Sequence, residues 1–200
     1  MEPFIVGVSG ASGAVYGQRL MSVLIQKKLK THLLLTKSSL KVIKYELNID
    51  LGETTPLSID NLIRFLGKQS PRYVVTEGLD NWDSPLASGS YRTAAMVIMP
   101  CSMATIASIA TGRSRNLLER RADVMLKERG RLIVVPRETP LNQIHLRHLL
   151  SLSEMGVDIV PAMPAFYHKP QKLEDITDFV VGKVLDLLGL SHTLFRRWRS

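Results

Sequence analysis

The chain has a single cysteine, Cys101, in 200 residues, only two tryptophans, and an aromatic share of 6%. One cysteine excludes an internal disulfide framework, and nothing groups it with histidine at metal-ligand spacing. His145 and His148 lie one helical turn apart, but no third ligand stands near them in sequence, so no metal site is expected. The net charge of +8 invites a nucleic-acid reading. Its distribution argues against one: cations are scattered, carboxylates alternate with them in NLLERRADVMLKERGR, and no aromatic platform for base stacking accompanies them. The densest basic group, FRRWRS, reads as a solvated or interface-bound end. A secretory signal is also missing, since the chain opens on the acidic Met1-Glu2-Pro3, and a cytoplasmic location is expected. The uncharged window Thr93 to Gly112 is long enough to suggest a membrane span. Pro100 in its middle and hydroxyls at Ser102, Thr105, Ser108 and Thr111 argue instead for a buried strand, Ala94 to Met99, then a helix capped by Ser102 and ended by Gly112.

What is present is an apolar share of 45%, enough for one domain over residues 1–200, with a C-terminal helix and basic tail from about 174. Strand-like runs appear at FIVGV, HLLLT, YVVTE, AAMVIMP, RLIVVP and VDIVPA. Helical periodicity runs through VYGQRLMSVLIQKKL, SSLKVIKYEL, LNQIHLRHLLSLSEMG and LEDITDFVVGKVLDLLGL. The alternation predicts an α/β fold: a three-layer, Rossmann-like or flavodoxin-like parallel sheet with helices on both faces, its ligand at the carboxyl ends of the strands. The stretch from Glu77 to Arg92 is rich in turn formers and reads as a binding loop.

Those strand ends repeat one chemistry. Gly10-Ala11-Ser12 follows the first strand, Thr36 the second, Ser102-Met103-Ala104-Thr105 the fourth, and Arg137-Glu138 the fifth. Glycines admit a ligand close to the backbone, helix N-termini offer N–H groups to an anion, and Arg137 can give two charge-assisted bonds. The first turn matches neither the G-x-G-x-x-G fingerprint nor the Walker loop, nor does Ser12 sit in a G-x-S-x-G elbow. Taken singly, each hydroxyl reads first as a helix cap, and it is the recurrence at four strand ends that shifts the reading toward a site. Trp82 alone could be packing, Tyr167 a surface ring and Lys183 an exposed helix residue. Cys101, without a basic neighbour in sequence, reads as a small buried residue.

GASGAVYG, ASGSYRTAAMVIMPCSMATIASIATG, NLLERRADVMLKERGRLIVVPRETPLNQIHL and PAMPAFYHKP resemble the flavin prenyltransferases, the UbiX family, over nearly the whole chain. The resemblance implies a transferase that joins the dimethylallyl group of dimethylallyl monophosphate to N5 and C6 of reduced FMN without a metal. The product, prenylated FMN, would serve a UbiD-type decarboxylase. It places FMN on Gly10, Ala11, Ser12, Thr36, Ser102, Met103, Ala104, Thr105 and Arg137. It assigns Ser12, Glu46, Trp82 and Glu138 to catalysis, Glu46 as a carboxylate base and Trp82 as an aromatic wall. Arg120, Lys127, Tyr167 and Lys183 would bind the allyl phosphate, with lysine at 183 where relatives often carry arginine. It further implies a homododecamer with sites shared between subunits. Two other readings stay open on the residues: an FMN-dependent decarboxylase of the peptidyl-cysteine type, and an FMN carrier without chemistry. The carrier reading leaves Glu46, Lys127, Glu138, Tyr167 and Lys183 without a task.

Overall fold

Runs of aliphatic and β-branched residues form six strands: β1 (Phe4–Val8), β2 (Thr31–Leu35), β3 (Val74–Glu77), β4 (Ala95–Cys101), β5 (Leu132–Pro136) and β6 (Asp158–Ile159). In this computed structural model, which describes residues 2–67 and 69–198, every pairing is parallel and the order is β3-β2-β1-β4-β5-β6. Among the described residues seven helices flank the sheet: α1 (Ala14–Gln26), α2 (Lys37–Leu47), α3 (Ile59–Leu66), α4 (Met103–Ala110), α5 (Leu117–Lys127), α6 (Gln143–Glu154) and α7 (Leu173–Leu187). All residues of β1, β2, β4 and β5 are buried, as a parallel sheet covered on both faces requires.

Alternation along the strands sorts the core into two layers. Phe4, Val6, Val8, Leu33, Leu35, Val97, Met99 and Val135 face α1, α2, α3 and α7, packing on Leu20, Leu24, Ile43, Phe65 and Val184. Ile5, Leu34, Met96, Ile98 and Val134 face the other way, onto Ile106, Leu118, Ala122 and Leu152 of α4, α5 and α6. The expected three-layer α/β fold is what the chain forms. Strand order reverses between β1 and β4, and in such sheets the crevice outside the carboxyl ends of those strands is the ligand site.

The differences from the sequence reading are local. β4 runs on through Pro100 to Cys101; proline lacks an N–H, and the ladder to β5 shifts register between Ile98 and Cys101 to accommodate it. The helix α3 was not expected. Ser58 caps it by accepting the Asn61 N–H, and Leu62, Phe65 and Leu66 bury a stripe too short to stand out in sequence. β6 contracts to two residues, although Val160 and Ala162 still donate to the carbonyls of Val134 and Pro136. Glu77 closes β3 rather than opening the loop, which is itself broken by a 3-10 turn at Pro85–Ala87. Among the described residues no helix is long and apolar enough to cross a membrane. Of the basic tail, Arg199 and Ser200 lie outside the described residues.

Candidate functional site

The crevice is built where β1, β2, β4 and β5 end. After β1, Ser9 is buried and stitches the two central strands together. Its N–H donates to the Pro100 carbonyl at 3.1 Å, its hydroxyl to the same oxygen at 3.3 Å, and its Oγ accepts the Ser102 N–H at 2.7 Å. Gly10 packs on α2 so closely that a Cβ there would lie 2.4 Å from the Ser38 Cβ. Gly13 then takes φ 104° to turn the chain into α1, a conformation that suits glycine.

Three helix N-termini open around this turn. Thr36 caps α2 by accepting the Ser39 N–H at 3.1 Å. Ser102 caps α4 by accepting the Thr105 N–H at 3.3 Å, and its hydroxyl lies 3.1 Å from that of Thr105. Met103 and Thr105 are buried, whereas Ala104 is exposed. α1 has no cap of its own; the Glu46 carboxylate, reaching from α2, accepts the Gly13 N–H at 2.9 Å and the Ala14 N–H at 2.9 Å. Arg137, at the end of β5, donates from Nε to the Ser12 carbonyl at 3.3 Å and so closes the crevice from the far side. Burial raises the pKa of Tyr16 in the first turn of α1, and the nearby Arg137 charge partly opposes the rise. Buried Cys101 has its thiol pushed far above the ordinary range by desolvation, against a hydrogen bond with Ser9, so it is held as the neutral thiol.

Gly10, Ala11, Ser12, Thr36, Ser102, Met103, Ala104, Thr105, Arg137 and Glu46 therefore converge. The donor set fits FMN: hydroxyls and helix N-termini for its polar edge and phosphate, a guanidinium, and small residues where the backbone must come near. That the α1 terminus already holds a carboxylate shows that it takes negative charge. Glu138 follows Arg137 at the rim, exposed, with Oε1 accepting its neighbour's N–H from Thr139 at 3.1 Å.

The remaining expected residues form separate groups. Trp82 is 49% exposed on the loop after β3. Arg120, in the second turn of α5, is tied to the Ala87 carbonyl at 3.1 Å and to Asp123 at 2.8 Å. Lys127 ends α5 beside the start of β5 and pairs with Glu128, a strand's length of roughly 16 Å from the crevice end. Tyr167 sits against Phe179 and Trp198, ring centroids 5.8 and 5.4 Å away. Lys183 lies on α7, its Nζ 4.0 Å from Asp186. The tail is less free than expected: Arg197 forks onto Asp186 at 2.6 and 3.1 Å, and His192 adds a bond at 3.1 Å. Sequence reading missed Ser9, Tyr16, Trp198 and the buried Arg121. Only Ser9 carried a signal, as a hydroxyl directly after a buried strand.

The flavoprotein family model matches residues 2–185. A flavin prenyltransferase UbiX of Halalkalibacterium halodurans is 51% identical over 195 residues, covering 98% of this chain and 92% of that one. A crystal structure of AnUbiX (PadA1) in complex with FMN and dimethylallyl pyrophosphate superposes with a TM-score of 0.85 at 38% identity, covering 100% of this chain and 98% of that one. A dodecameric FMN-dependent UbiX-like decarboxylase from Escherichia coli O157:H7 gives 0.84 at 39% identity, covering 99% and 100%. Matched by the family model over nearly its whole length and half identical to a flavin prenyltransferase over 98% of its residues, this chain belongs to the flavoprotein family and, within it, to the UbiX flavin prenyltransferases.

Proposed function

We propose that the chain transfers the dimethylallyl group of dimethylallyl monophosphate to reduced FMN, and that a UbiD-type decarboxylase uses the product. The observation that carries this reading is the meeting of a carboxylate, three helix N-termini and Arg137 at the β1–β4 crevice. Bound reduced FMN supplies an electron-rich ring as prenyl acceptor at N5 and C6. Arg137, Thr36, Ser102 and Thr105 hold it, and Gly10 and Ala11 let it approach the backbone. Breaking the allylic C–O bond sends the electron pair to phosphate, and Arg120, Lys127, Lys183 and Tyr167 stabilise the departing dianion by preorganised charge and hydrogen bonding. The face of Trp82 stabilises the allyl cation. Glu46, with Ser12 beside it, accepts the ring proton, and Glu138 handles a proton at the phosphate.

Within one chain Lys127 and the crevice lie at opposite ends of β5, so this reading needs the residues of α5 to serve a crevice of a neighbouring copy. We accordingly take the working form to be a homododecamer in the cytoplasm, each chain folding as one domain over residues 1–200, without nucleic-acid partners. Anaerobic incubation with reduced FMN and dimethylallyl monophosphate tests the reading. The released flavin is expected to gain the mass of one dimethylallyl-derived unit. Unchanged flavin there, with a cysteine-ended peptide consumed in a parallel assay on the enzyme loaded with oxidised FMN, would instead establish the decarboxylase, and unchanged flavin with neither substrate consumed the carrier.

A further inference from the structure

Arg121 is buried to 2% exposure on α5, and among the described residues no carboxylate lies within ion-pair distance of it. Burial lowers its pKa, Glu128 opposes this only from beyond ion-pair distance, and its Nε has no hydrogen-bond partner among those residues, so the cation depends on what its two Nη atoms reach. Nη1 donates to the carbonyls of Leu86 at 3.4 Å and Ser88 at 3.2 Å; Nη2 donates to the Tyr91 carbonyl at 3.1 Å and to the Thr93 hydroxyl at 2.6 Å. Every one of these partners belongs to the second half of the loop that carries Trp82. The same loop is held at Tyr91 a second time: its hydroxyl is 3.0 Å from His32 Nε2, and His32 Nδ1 is 3.0 Å from Glu77, all three side chains lying between β2, β3 and the loop.

The carbonyl between the two that Arg121 Nη1 binds is that of Ala87, and it takes the Nε–H of Arg120 at 3.1 Å. Asp123 takes Nη1 of Arg120 at 2.8 Å. Three consecutive carbonyls, 86, 87 and 88, are thus bound by two consecutive arginines, one buried and one half-exposed. With Nε and one Nη1–H engaged inside the chain, Nη2 and the second Nη1–H are the Arg120 donors left for an outside anion. We propose that Arg121 is a positioning residue for the phosphate grip of Arg120: by fixing the backbone at Leu86 and Ser88 it fixes the Ala87 carbonyl, which sets the plane of the Arg120 guanidinium. Lysine cannot replace it, because one ammonium cannot span four oxygens spread over residues 86 to 93 in the plane that a guanidinium offers.

The inference rests on Arg120 gripping the allyl phosphate, and a double-mutant cycle in the FMN-loaded assembly separates the two claims. Arg121→Lys is expected to raise KM for dimethylallyl monophosphate about tenfold, the loss of one charge-assisted hydrogen bond, with kcat within about twofold and FMN affinity unchanged. In an Arg120→Ala background, the same substitution is expected to change KM no further. A KM rise that persists undiminished in that background overturns the role of Arg121 while leaving Arg120 in the site. An unchanged KM in Arg120→Ala alone removes Arg120 from the phosphate site, and the positioning role falls with it. Should Arg121→Lys fail to assemble, Thr93→Val loosens the fork without touching the charge and is judged by the same cycle: a several-fold KM rise that vanishes without Arg120 supports the role, and one that survives overturns it.

Discussion

On the proposed reading Glu46 carries two tasks on one carboxylate, capping and proton acceptance. It stands near the end of the helical pattern SSLKVIKYEL, and in the fold it caps the neighbouring helix α1 through Gly13 and Ala14. The two tasks separate by substitution. Glu46→Gln keeps an acceptor for those N–H groups and removes the base, so formation of prenylated FMN should fall by roughly 100- to 10,000-fold with stability nearly unchanged. Glu46→Ala removes the cap as well and should cost a further ~0.5–2 kcal/mol in denaturant unfolding. Equal turnover in wild type and Glu46→Gln would leave the carboxylate with its capping task alone. Arg137 is tested by binding: Arg137→Ala is expected to weaken FMN affinity by about 1.5–3 kcal/mol, the worth of a charged hydrogen bond, read from flavin fluorescence titration. An unaltered affinity would take Arg137 out of the site.

At the scale of elements, α1 lies against β4 through Gly17, where an added Cβ would stand 2.4 Å from the Met99 carbonyl oxygen. A backbone oxygen cannot swing aside as a side chain would. Gly17→Ala is therefore expected to push α1 off the sheet, lowering stability by roughly 1–3 kcal/mol and weakening FMN binding, since the α1 N-terminus moves with it; calorimetry and flavin titration on the same sample check both. Strands and the longer helices were legible because burial on both sides writes continuous apolar runs for strands and a 3.6-residue period for helices. The crevice was legible for the same reason: Gly10 to Ser12, Thr36, Ser102 to Thr105 and Arg137 each stand next to such a run. α3 escaped notice because eight residues hold barely two turns of pattern. The loop clamp at Arg121 and the cap from Glu46 were illegible, since each joins residues more than 25 positions apart and depends on which side chains the fold brings together.

At the scale of the whole molecule, the C-terminal segment is fastened to α7 by Asp186. Arg197, above all, and then His192 hold the Asp186 carboxyl below its ordinary value of 3.8, overcoming the opposing effect of partial burial. A depressed carboxyl contributes stability above the unfolded-state value and loses it as pH falls through the lower, folded one. The tail should thus stay docked through neutral and mildly acid pH and loosen only below about 3.8. Melting curves of Asp186→Asn should lack that acid limb, and an identical limb in both proteins would show that another group sets it. Because Lys127 and the crevice stand at opposite ends of β5, activity is also expected to follow assembly: inactive Lys127→Ala chains mixed and reassembled with inactive Glu46→Gln chains should recover a share of turnover. Recovery absent after verified mixing would place both residues in one subunit's site.

The reversal of strand order between β1 and β4 also sets a timetable. β1 is made first, yet the neighbour that completes its crevice side follows about 90 residues later, as the bond from Ser9 to Pro100 records. At ~5–20 residues per second of synthesis, the nascent chain passes several seconds with one edge of an apolar strand unpaired, and on the proposed site flavin has no complete seat until Arg137 has emerged. Ribosome-bound chains halted just before Ala95 should therefore recruit chaperones and ignore FMN, whereas those halted well beyond Arg137 should begin to hold it.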